Sequence, residues 1–239
     1  MRVEARNELQ NLRRLFMRKG LTLVQRLSAF AVVAAISGIL APVQGTETPR
    51  KVILIGDSIR IGYQDTVKEE LKQVAEVVFP KDNCRHSQNI IDNHLQWIVK
   101  EKPDIVHINA GLHELYMNPQ GKKQIEVGDY ARNLRKIFDT LRKNNIEIIW
   151  ATTTPVIDEW YTKQIGYPAR RNEDVIAYNK AAAEIVREYS IPVDDLYSFV
   201  HNYPHMEELY SNDGVHHNPQ GCHALGKSVA TCIREHMKL

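Results

Sequence analysis

The stretch VILIGDSIRIG, residues 52–62, carries four apolar residues into a Gly-Asp-Ser turn and then into a second apolar-rich segment. A short apolar run bounded by a turn predicts a buried strand, and the residues after it predict a helix. Ser58 then falls at a strand-to-helix junction, where helix N–H groups favour an anion. Gly-Asp-Ser is also common turn and N-cap chemistry. By itself, the stretch leaves Ser58 open as a nucleophile or a cap.

The same alternation of short apolar runs and amphipathic stretches continues along the chain. Strands are predicted at residues 52–55, 76–79, 105–109 and 146–151. Between them, apolar residues recur at the helical period, most clearly at Leu134, Ile137, Phe138 and Leu141. Strands alternating with helices predict an α/β fold on a mostly parallel sheet. Two loops, residues 111–128 and 152–171, are long enough to suggest a functional role.

The N-terminal segment differs in composition from the rest. Its first 46 residues contain seven Lys or Arg, and residues 27–41 then carry no charge. This pattern predicts a signal peptide over residues 1–45 with a long basic region, one domain over residues 46–239, and export to the periplasm or outside the cell. The uncharged run is shorter than the roughly 20 residues that span a bilayer. An uncleaved anchor stays an alternative, and translation from Met17 would give a more ordinary signal.

The charge of the predicted domain argues against nucleic acid as a partner. The chain has 31 Lys or Arg and 29 Asp or Glu, and removing the seven basic and two acidic residues of the leader leaves a formal charge of −3. No basic surface remains for a phosphate backbone, and a membrane is expected as a partner only through an uncleaved leader. Cys222 and Cys232 lie too far apart on one predicted helix to bridge, whereas a Cys84–Cys222 disulfide stays possible.

Polar clusters follow the predicted strands at the points where those strands end. In an open α/β sheet, ligands bind outside the carboxyl ends of the strands. Four clusters follow strands and a fifth precedes the last predicted helix: residues 56–58, 82–85, 109–114, 152–155 and 213–216. Five separate loops are therefore expected to converge on one rim of the sheet.

Acyl transfer needs a nucleophile, a base, a group that orients the base, and donors for the oxyanion. Asp213 and His216 are three residues apart, so one turn can place the carboxylate against one imidazole nitrogen and leave the other facing Ser58. The histidine would take the serine proton while the carboxylate stabilises the imidazolium. Asp-Gly-Val-His is also compatible with a plain turn and helix cap, and the neighbouring His217 is easily confused with His216.

Three blocks of this sequence together resemble the SGNH (GDSL) hydrolases. They are Gly56-Asp57-Ser58, Gly111-x-His113-Glu114 and Asp213-x-x-His216, in the family's order over residues 50–236. The resemblance implies a three-layer α/β/α sandwich with a flavodoxin-like parallel sheet. It also implies hydrolysis of esters or thioesters with no metal or cofactor, by a triad carried here by Ser58, His216 and Asp213. In that family the serine N–H, a glycine N–H and an asparagine side chain form the oxyanion hole.

Two positions depart from the family pattern. Cys84 is placed at the glycine position, where a backbone N–H would survive the change, and His113 replaces the asparagine, with Glu114 where aspartate is usual. A neutral histidine still donates one N–H, so the predicted oxyanion hole consists of Ser58, Cys84 and His113. A purely structural His113 is the alternative.

Three further residues are predicted to contact substrate. Arg60 would bind an anionic group of the substrate, or it forms a surface ion pair. Trp160 would stack on a sugar face, or it packs on the domain. Asn83 would hydrogen-bond to the substrate, or it tethers its own loop. Arg170 is expected at the start of a solvated helix with Arg171.

The expected function is an exported serine esterase acting on a small-molecule or glycan ester, with a carbohydrate O-acetyl ester favoured over a lysophospholipid or thioester. A metal hydrolase is a rival, because the chain has many potential ligands, but it has no regular ligand spacing. Those potential ligands are His86, His107, His113, Glu114, Asp213, His216 and His217. A binding module on a decayed hydrolase scaffold is a second rival. A flavodoxin that binds FMN is disfavoured, because the first loop lacks a run of hydroxyl residues.

Overall fold

The computed structural model describes residues 49–239. The predicted signal peptide, residues 1–45, and its cleavage lie outside the described residues. Within residues 49–239, no helix combines the length and apolar character needed to cross a lipid bilayer.

The fold is organised by a five-stranded sheet in which every pair of neighbours is parallel. The strand order is β2-β1-β3-β4-β5, the flavodoxin-like order. The strands are β1 (Arg50–Ile55), β2 (Ala75–Val78), β3 (Ile105–Ile108), β4 (Glu147–Ala151) and β5 (Val193–Asp194). The predicted α/β class with a parallel sheet is confirmed. The four predicted strands are present, whereas β5 was missed, because two residues are too short to form an apolar run.

Helices connect the strands and cover both faces of the sheet. They are α1 (Ser58–Leu71), α2 (Ser87–Asn89), α3 (Leu95–Glu101), α4 (Val127–Lys143), α5 (Asp158–Ile165), α6 (Asn172–Glu188), α7 (Leu196–His201) and α8 (Pro219–Met237). A single π-helical turn, Ile90–His94, joins α2 to α3. Helix α1 packs against α8 and α4 packs against α6, giving the three layers that the family resemblance implied.

The core lies between the sheet and the two helical layers. The predicted apolar face of α4 is fully buried, and its Phe138 meets Trp150 of β4 edge to face with ring centroids 5.8 Å apart. The apolar residues of β1 are equally buried, as expected for a strand with a helical layer on each side. The sheet and its helices therefore form a rigid support for the loops at its rim.

The strand order creates a crevice between the ends of β1 and β3, where successive connections switch from one side of β1 to the other. Strand β1 lies between β2 and β3, so the connections that leave β1 and β3 run to opposite sides. Ligands in this class of sheet bind outside the carboxyl ends of the strands at such a point. The N–H of Asn109 donates to the carbonyl of Ile55 at 3.0 Å, which holds the ends of β1 and β3 together. Ser58 and His113 follow these two strand ends.

The three cysteines are free thiols in this structure. Cys84 is fully buried, while the Cys222 thiol donates to the carbonyl of His217 at 3.4 Å. The possible Cys84–Cys222 disulfide is therefore not formed.

Candidate active site

Ser58, His216 and Asp213 form a continuous hydrogen-bonded chain at the carboxyl edge of the sheet. The Oγ of Ser58 lies 2.8 Å from Nε2 of His216, and Nδ1 of His216 lies 2.5 Å from Oδ2 of Asp213. A carboxylate only accepts hydrogen bonds, so Nδ1 carries the proton and Nε2 accepts from the serine hydroxyl. This is the arrangement that lets a serine lose its proton as it attacks a carbonyl.

The turn that carries Asp213 and His216 is held by its own backbone. The Oδ1 of Asp213 accepts the N–H groups of Val215 at 2.9 Å and His216 at 2.8 Å. Burial would raise the pKa of Asp213, but these bonds and the one from the His216 ring outweigh it and lower that pKa. Gly214 supplies a φ of +69° that favours glycine, and its carbonyl accepts the Ile157 N–H at 2.7 Å. The carboxylate is therefore ionised and oriented before substrate arrives.

His217 is separated from this chain although it is adjacent in sequence. Its ring is buried against Tyr210, with centroids 4.5 Å apart, and burial lowers its pKa to about 4. The side chain of His216, in contrast, is 47% exposed. The base that faces solvent and Ser58 is His216.

Ser58 is the first residue of α1, directly after the turn that ends β1. Asp57 caps this helix, with its Oδ1 accepting the Ile59 N–H at 2.9 Å. The first N–H groups of a helix have no acceptor within the helix, and the positive end of the helix dipole lies there. The cap and the nucleophile therefore belong to one feature: Asp57 fixes the turn, and Ser58 presents its hydroxyl and N–H at the rim.

His113 follows β3, is half-buried, and lies close enough to Asp57, the residue before Ser58, for that carboxylate to affect its pKa. Burial lowers its pKa; Asp57 opposes this effect, whereas the positive charges of Arg170, His86 and Arg85 reinforce it. The imidazole is therefore neutral near pH 7 and carries one N–H donor. This placement suits the oxyanion role predicted for His113.

Cys84 does not contribute the backbone donor that was predicted for it. Its N–H already donates to the carbonyl of Gly56 at 3.2 Å, and the residue is fully buried. The left-handed conformation falls on the next residue, Arg85, with a φ of +55°. The prediction that Cys84 N–H lines the oxyanion hole is wrong, because that group instead ties the loop after β2 to the end of β1.

Arg60 is also misassigned by the sequence. Only 1% of the residue is exposed, and its guanidinium donates to the carbonyls of Asp82 at 2.7 Å and Pro80 at 3.1 Å. These bonds satisfy a charge that would be costly to bury unpaired. Arg60 therefore anchors the loop after β2 to α1, and the predicted contact of Arg60 with an anionic substrate group is wrong.

The other two predicted substrate contacts lie on different segments, Asn83 in the loop after β2 and Trp160 on α5. Asn83 tethers its own loop, because its Oδ1 accepts the Arg85 N–H at 2.8 Å. Trp160 lies on α5, where it is 36% exposed and packs over the backbone of Gly214. Sugar stacking on Trp160 stays a prediction.

Comparison with known proteins agrees with this geometry. A family model described as the GDSL-like lipase/acylhydrolase family matches residues 54–224, more than half of the chain. The chain belongs to this family. It is therefore a hydrolase that acts on ester bonds, as the three sequence blocks predicted.

Relatives of this GDSL-family chain include plant and bacterial proteins. A GDSL esterase/lipase of Arabidopsis thaliana is 24% identical over 208 residues, covering 78% of this chain and 86% of the relative. A lipase/acylhydrolase structure from Enterococcus faecalis has a TM-score of 0.66 at 24% identity, covering 78% and 96% of the two chains. The structure of an acetyl xylan esterase, AlAXEase, has a TM-score of 0.62 at 18% identity, covering 77% and 99%. These solved structures share the α/β/α fold.

Glu114 links two active-site loops of this GDSL-family protein. It follows His113 and is fully buried, and its Oε1 accepts the Ser87 N–H at 2.6 Å. Burial raises the pKa of Glu114 to about 7, although the bonds from Ser87 oppose the rise. Its Oε2 has no partner among residues 49–239, which fits a protonated carboxyl group. The glutamate therefore holds the loop after β2 in place beside His113.

Replacing Glu114 with glutamine should change the pH dependence of stability. The pKa of Glu114 rises from 4.5 to about 7 on folding. The stability that the protonated carboxyl group contributes is therefore complete below pH 4.5 and is lost as the pH rises through 7. Glutamine does not titrate. The unfolding free energy of wild type relative to Glu114→Gln is expected to fall by roughly 3 kcal/mol over that interval, as measured by urea denaturation. Glu184→Gln, at an exposed position, is the control; a constant difference would contradict the burial argument.

Arg170 is a site residue that the sequence did not indicate. It is half-buried rather than solvated, with its guanidinium 5.0 Å from the ring centroids of both Tyr116 and Tyr161. Its Nε donates to the carbonyl of Leu112 at 2.9 Å, and it also bonds the Tyr161 hydroxyl. Leu112 precedes His113, so this clamp positions the predicted oxyanion donor. In the sequence, the tyrosines of the two long loops were the only indication that these loops meet near the site.

The metal-hydrolase alternative finds no support in the placement of its predicted ligands. His107 is buried in the sheet, with Nε2 2.9 Å from Asp194, and His86 caps α2 by accepting the Asn89 N–H at 3.1 Å. Across the described part of the chain, no group of three or more His, Cys, Asp or Glu side chains is arranged to hold a metal ion.

Proposed function

We propose that the protein is an exported serine esterase that removes short acyl groups, above all acetyl, from a carbohydrate. The observation that carries this proposal is the series of hydrogen bonds in the triad. Ser58 Oγ lies 2.8 Å from His216 Nε2, and His216 Nδ1 lies 2.5 Å from Asp213 Oδ2. Export rests on the leader pattern of the sequence. Mass spectrometry of the mature N-terminus tests it, and a protein retained in the cell with residues 1–45 attached would contradict it.

The proposed cycle uses the triad twice. Ser58 Oγ attacks the ester carbonyl while its proton passes to Nε2 of His216, and the Asp213 carboxylate stabilises the imidazolium. The Ser58 N–H and His113 donate to the oxyanion of the tetrahedral intermediate. Collapse of that intermediate breaks the ester C–O bond, and His216 returns the proton to the leaving alcohol. Water then attacks the acyl-enzyme with His216 as base, which releases the carboxylic acid and regenerates Ser58.

Two features favour a short acyl group on a polar alcohol. The base is open to solvent, since the His216 side chain is 47% exposed, whereas long-chain selectivity needs a deep apolar pocket. The loop after β2, beside Ser58, exposes Lys81, Asp82 and Arg85. One protein of the same fold is an acetyl xylan esterase. These observations support an acetylated carbohydrate over a lysophospholipid or a long-chain thioester.

A panel of esters tests the proposed substrate class. Purified protein is assayed on p-nitrophenyl esters from acetyl to palmitoyl and on acetylated xylo-oligosaccharides, with Ser58→Ala as the blank. We expect the highest kcat/KM on acetyl, falling by about tenfold or more by eight carbons, because the base of the triad is open to solvent. A preference for chains beyond eight carbons would overturn the proposal in favour of a lipid ester. Failure of a fluorophosphonate to label Ser58 would favour a binding module.

A further inference from the structure

A polar groove opens on the β2 side of the sheet, lined in part by the loop after β2. It has a volume of about 850 Å³, within the range of small-molecule sites. The lining of this β2-side groove includes Asn83, Arg85, Asn89, Asn93 and Trp97. They come from the loop after β2 and from the helical segment that follows it.

The loop after β2, which lines the groove, is bonded to the turn that carries Ser58. Cys84, between Asn83 and Arg85, donates its N–H to Gly56, two residues before Ser58. Arg85 also lies close enough to His113 for its charge to lower the pKa of that histidine. The groove and Ser58 therefore lie on segments that one backbone hydrogen bond holds together.

Part of the floor of the groove comes from the π-helical turn, Ile90–His94, through Asn93 and His94. Such turns are rare and occur frequently at functional sites. Here the turn presents Asn93 and, one turn later, Trp97 to the same groove. An aromatic ring combined with amide groups offers an apolar face and hydrogen-bonding edges to the same ligand.

The amide groups of the floor are oriented by a chain of hydrogen bonds. Asn93 Nδ2 donates to Asn89 Oδ1 at 2.7 Å, and Asn89 Nδ2 donates to the carbonyl of Cys84 at 3.0 Å. Asn93 is exposed, so its remaining amide oxygen is open to a ligand hydroxyl. These hydrogen bonds hold the two asparagine side chains in place before a ligand binds, which reduces the entropy lost on association.

We propose that the β2-side groove binds the sugar units of a neutral acetylated oligosaccharide, with one sugar face on the Trp97 indole and its hydroxyl groups on Asn83 and Asn93. The proposal rests on the proposed esterase function and names the part of the molecule that holds the alcohol side of the ester. A lipid chain would cover the Asn93 amide oxygen without giving it a hydrogen-bond partner, which is costly.

Substitutions in the groove test this assignment through a ratio of two activities. The measured quantity is kcat/KM for an acetylated xylo-oligosaccharide divided by kcat/KM for p-nitrophenyl acetate, which has no sugar. Trp97→Ala is expected to lower this ratio about tenfold, through a higher KM for the oligosaccharide. Asn93→Ala, at an exposed position that tolerates truncation, is expected to lower it severalfold. Gln96→Ala, exposed on the same helix and outside the groove, is the matched control.

The outcomes separate failure of the groove from failure of the esterase proposal. Suppose that wild type hydrolyses both esters and that the ratio is unchanged in both Trp97→Ala and Asn93→Ala. The groove proposal is then overturned, and the esterase proposal stands. A lower ratio in Trp160→Ala, with no change in the groove variants, would place the sugar on the α5 side and would also overturn the groove proposal. Calorimetry of the oligosaccharide with Ser58→Ala gives a readout without turnover: binding that Trp97→Ala weakens would support the groove even if wild type hydrolysed no ester.

Discussion

Replacing Ser58 with alanine is expected to lower kcat on an acetyl ester by on the order of 10⁶-fold, the usual cost of removing the nucleophile of a serine triad. The hydroxyl is the only group within hydrogen-bond distance of Nε2 of His216 among residues 49–239. Without it no acyl-enzyme forms, and only catalysis by substrate binding and the oxyanion donors remains. Initial rates on p-nitrophenyl acetate at high enzyme concentration measure the residual activity.

Covalent labelling provides a second readout for the same substitution. A fluorophosphonate should add one phosphonyl group to Ser58 of wild type and none to Ser58→Ala, as read by intact mass. Ser228→Ala, on α8 and outside the site, is the control and should label like wild type. Near wild-type turnover by Ser58→Ala would contradict the mechanism, because among residues 49–239 no other nucleophile lies within hydrogen-bond distance of His216 Nε2.

Replacing His113 with alanine is expected to lower kcat by about 10²–10³-fold, the usual loss for one oxyanion-hole donor. The imidazole is neutral because burial and the charges of Arg170, His86 and Arg85 outweigh Asp57 in their effect on its pKa. It therefore has one N–H to donate, and that donor acts mainly on the developing charge. The loss should appear in kcat, with KM little changed.

His113→Asn distinguishes a donor from a packing residue. Asparagine is the residue usual at this position in the family and also supplies an N–H, so it should recover most of the activity that alanine loses. His205→Ala, at a side chain that is 76% exposed, controls for loss of a histidine. Equal and severe losses in the alanine and asparagine variants would show a structural role for His113. Wild-type activity in His113→Ala would remove it from the mechanism.

The helical and strand patterns were predictable because they depend on neighbours close in the chain. The period of Leu134, Ile137, Phe138 and Leu141 is a property of one helix, and the apolar run of β1 is a property of one strand. β5 was not predictable, because two residues carry no period and pair with β4 only through the sheet.

The sequence by itself determined the identities that chemistry requires: a serine after the first strand, an Asp-x-x-His turn before the last helix, and their order along the chain. The Asp213–His216 contact in particular spans one turn, so local geometry specifies it. Only the tertiary structure decided which N–H groups are free and which charges are buried. The Cys84 N–H binds Gly56, Arg60 is enclosed by loop carbonyls, and Arg170 is clamped beside His113. Those outcomes depend on groups that are distant in sequence, and the packing of the whole sheet brings them within hydrogen-bonding distance.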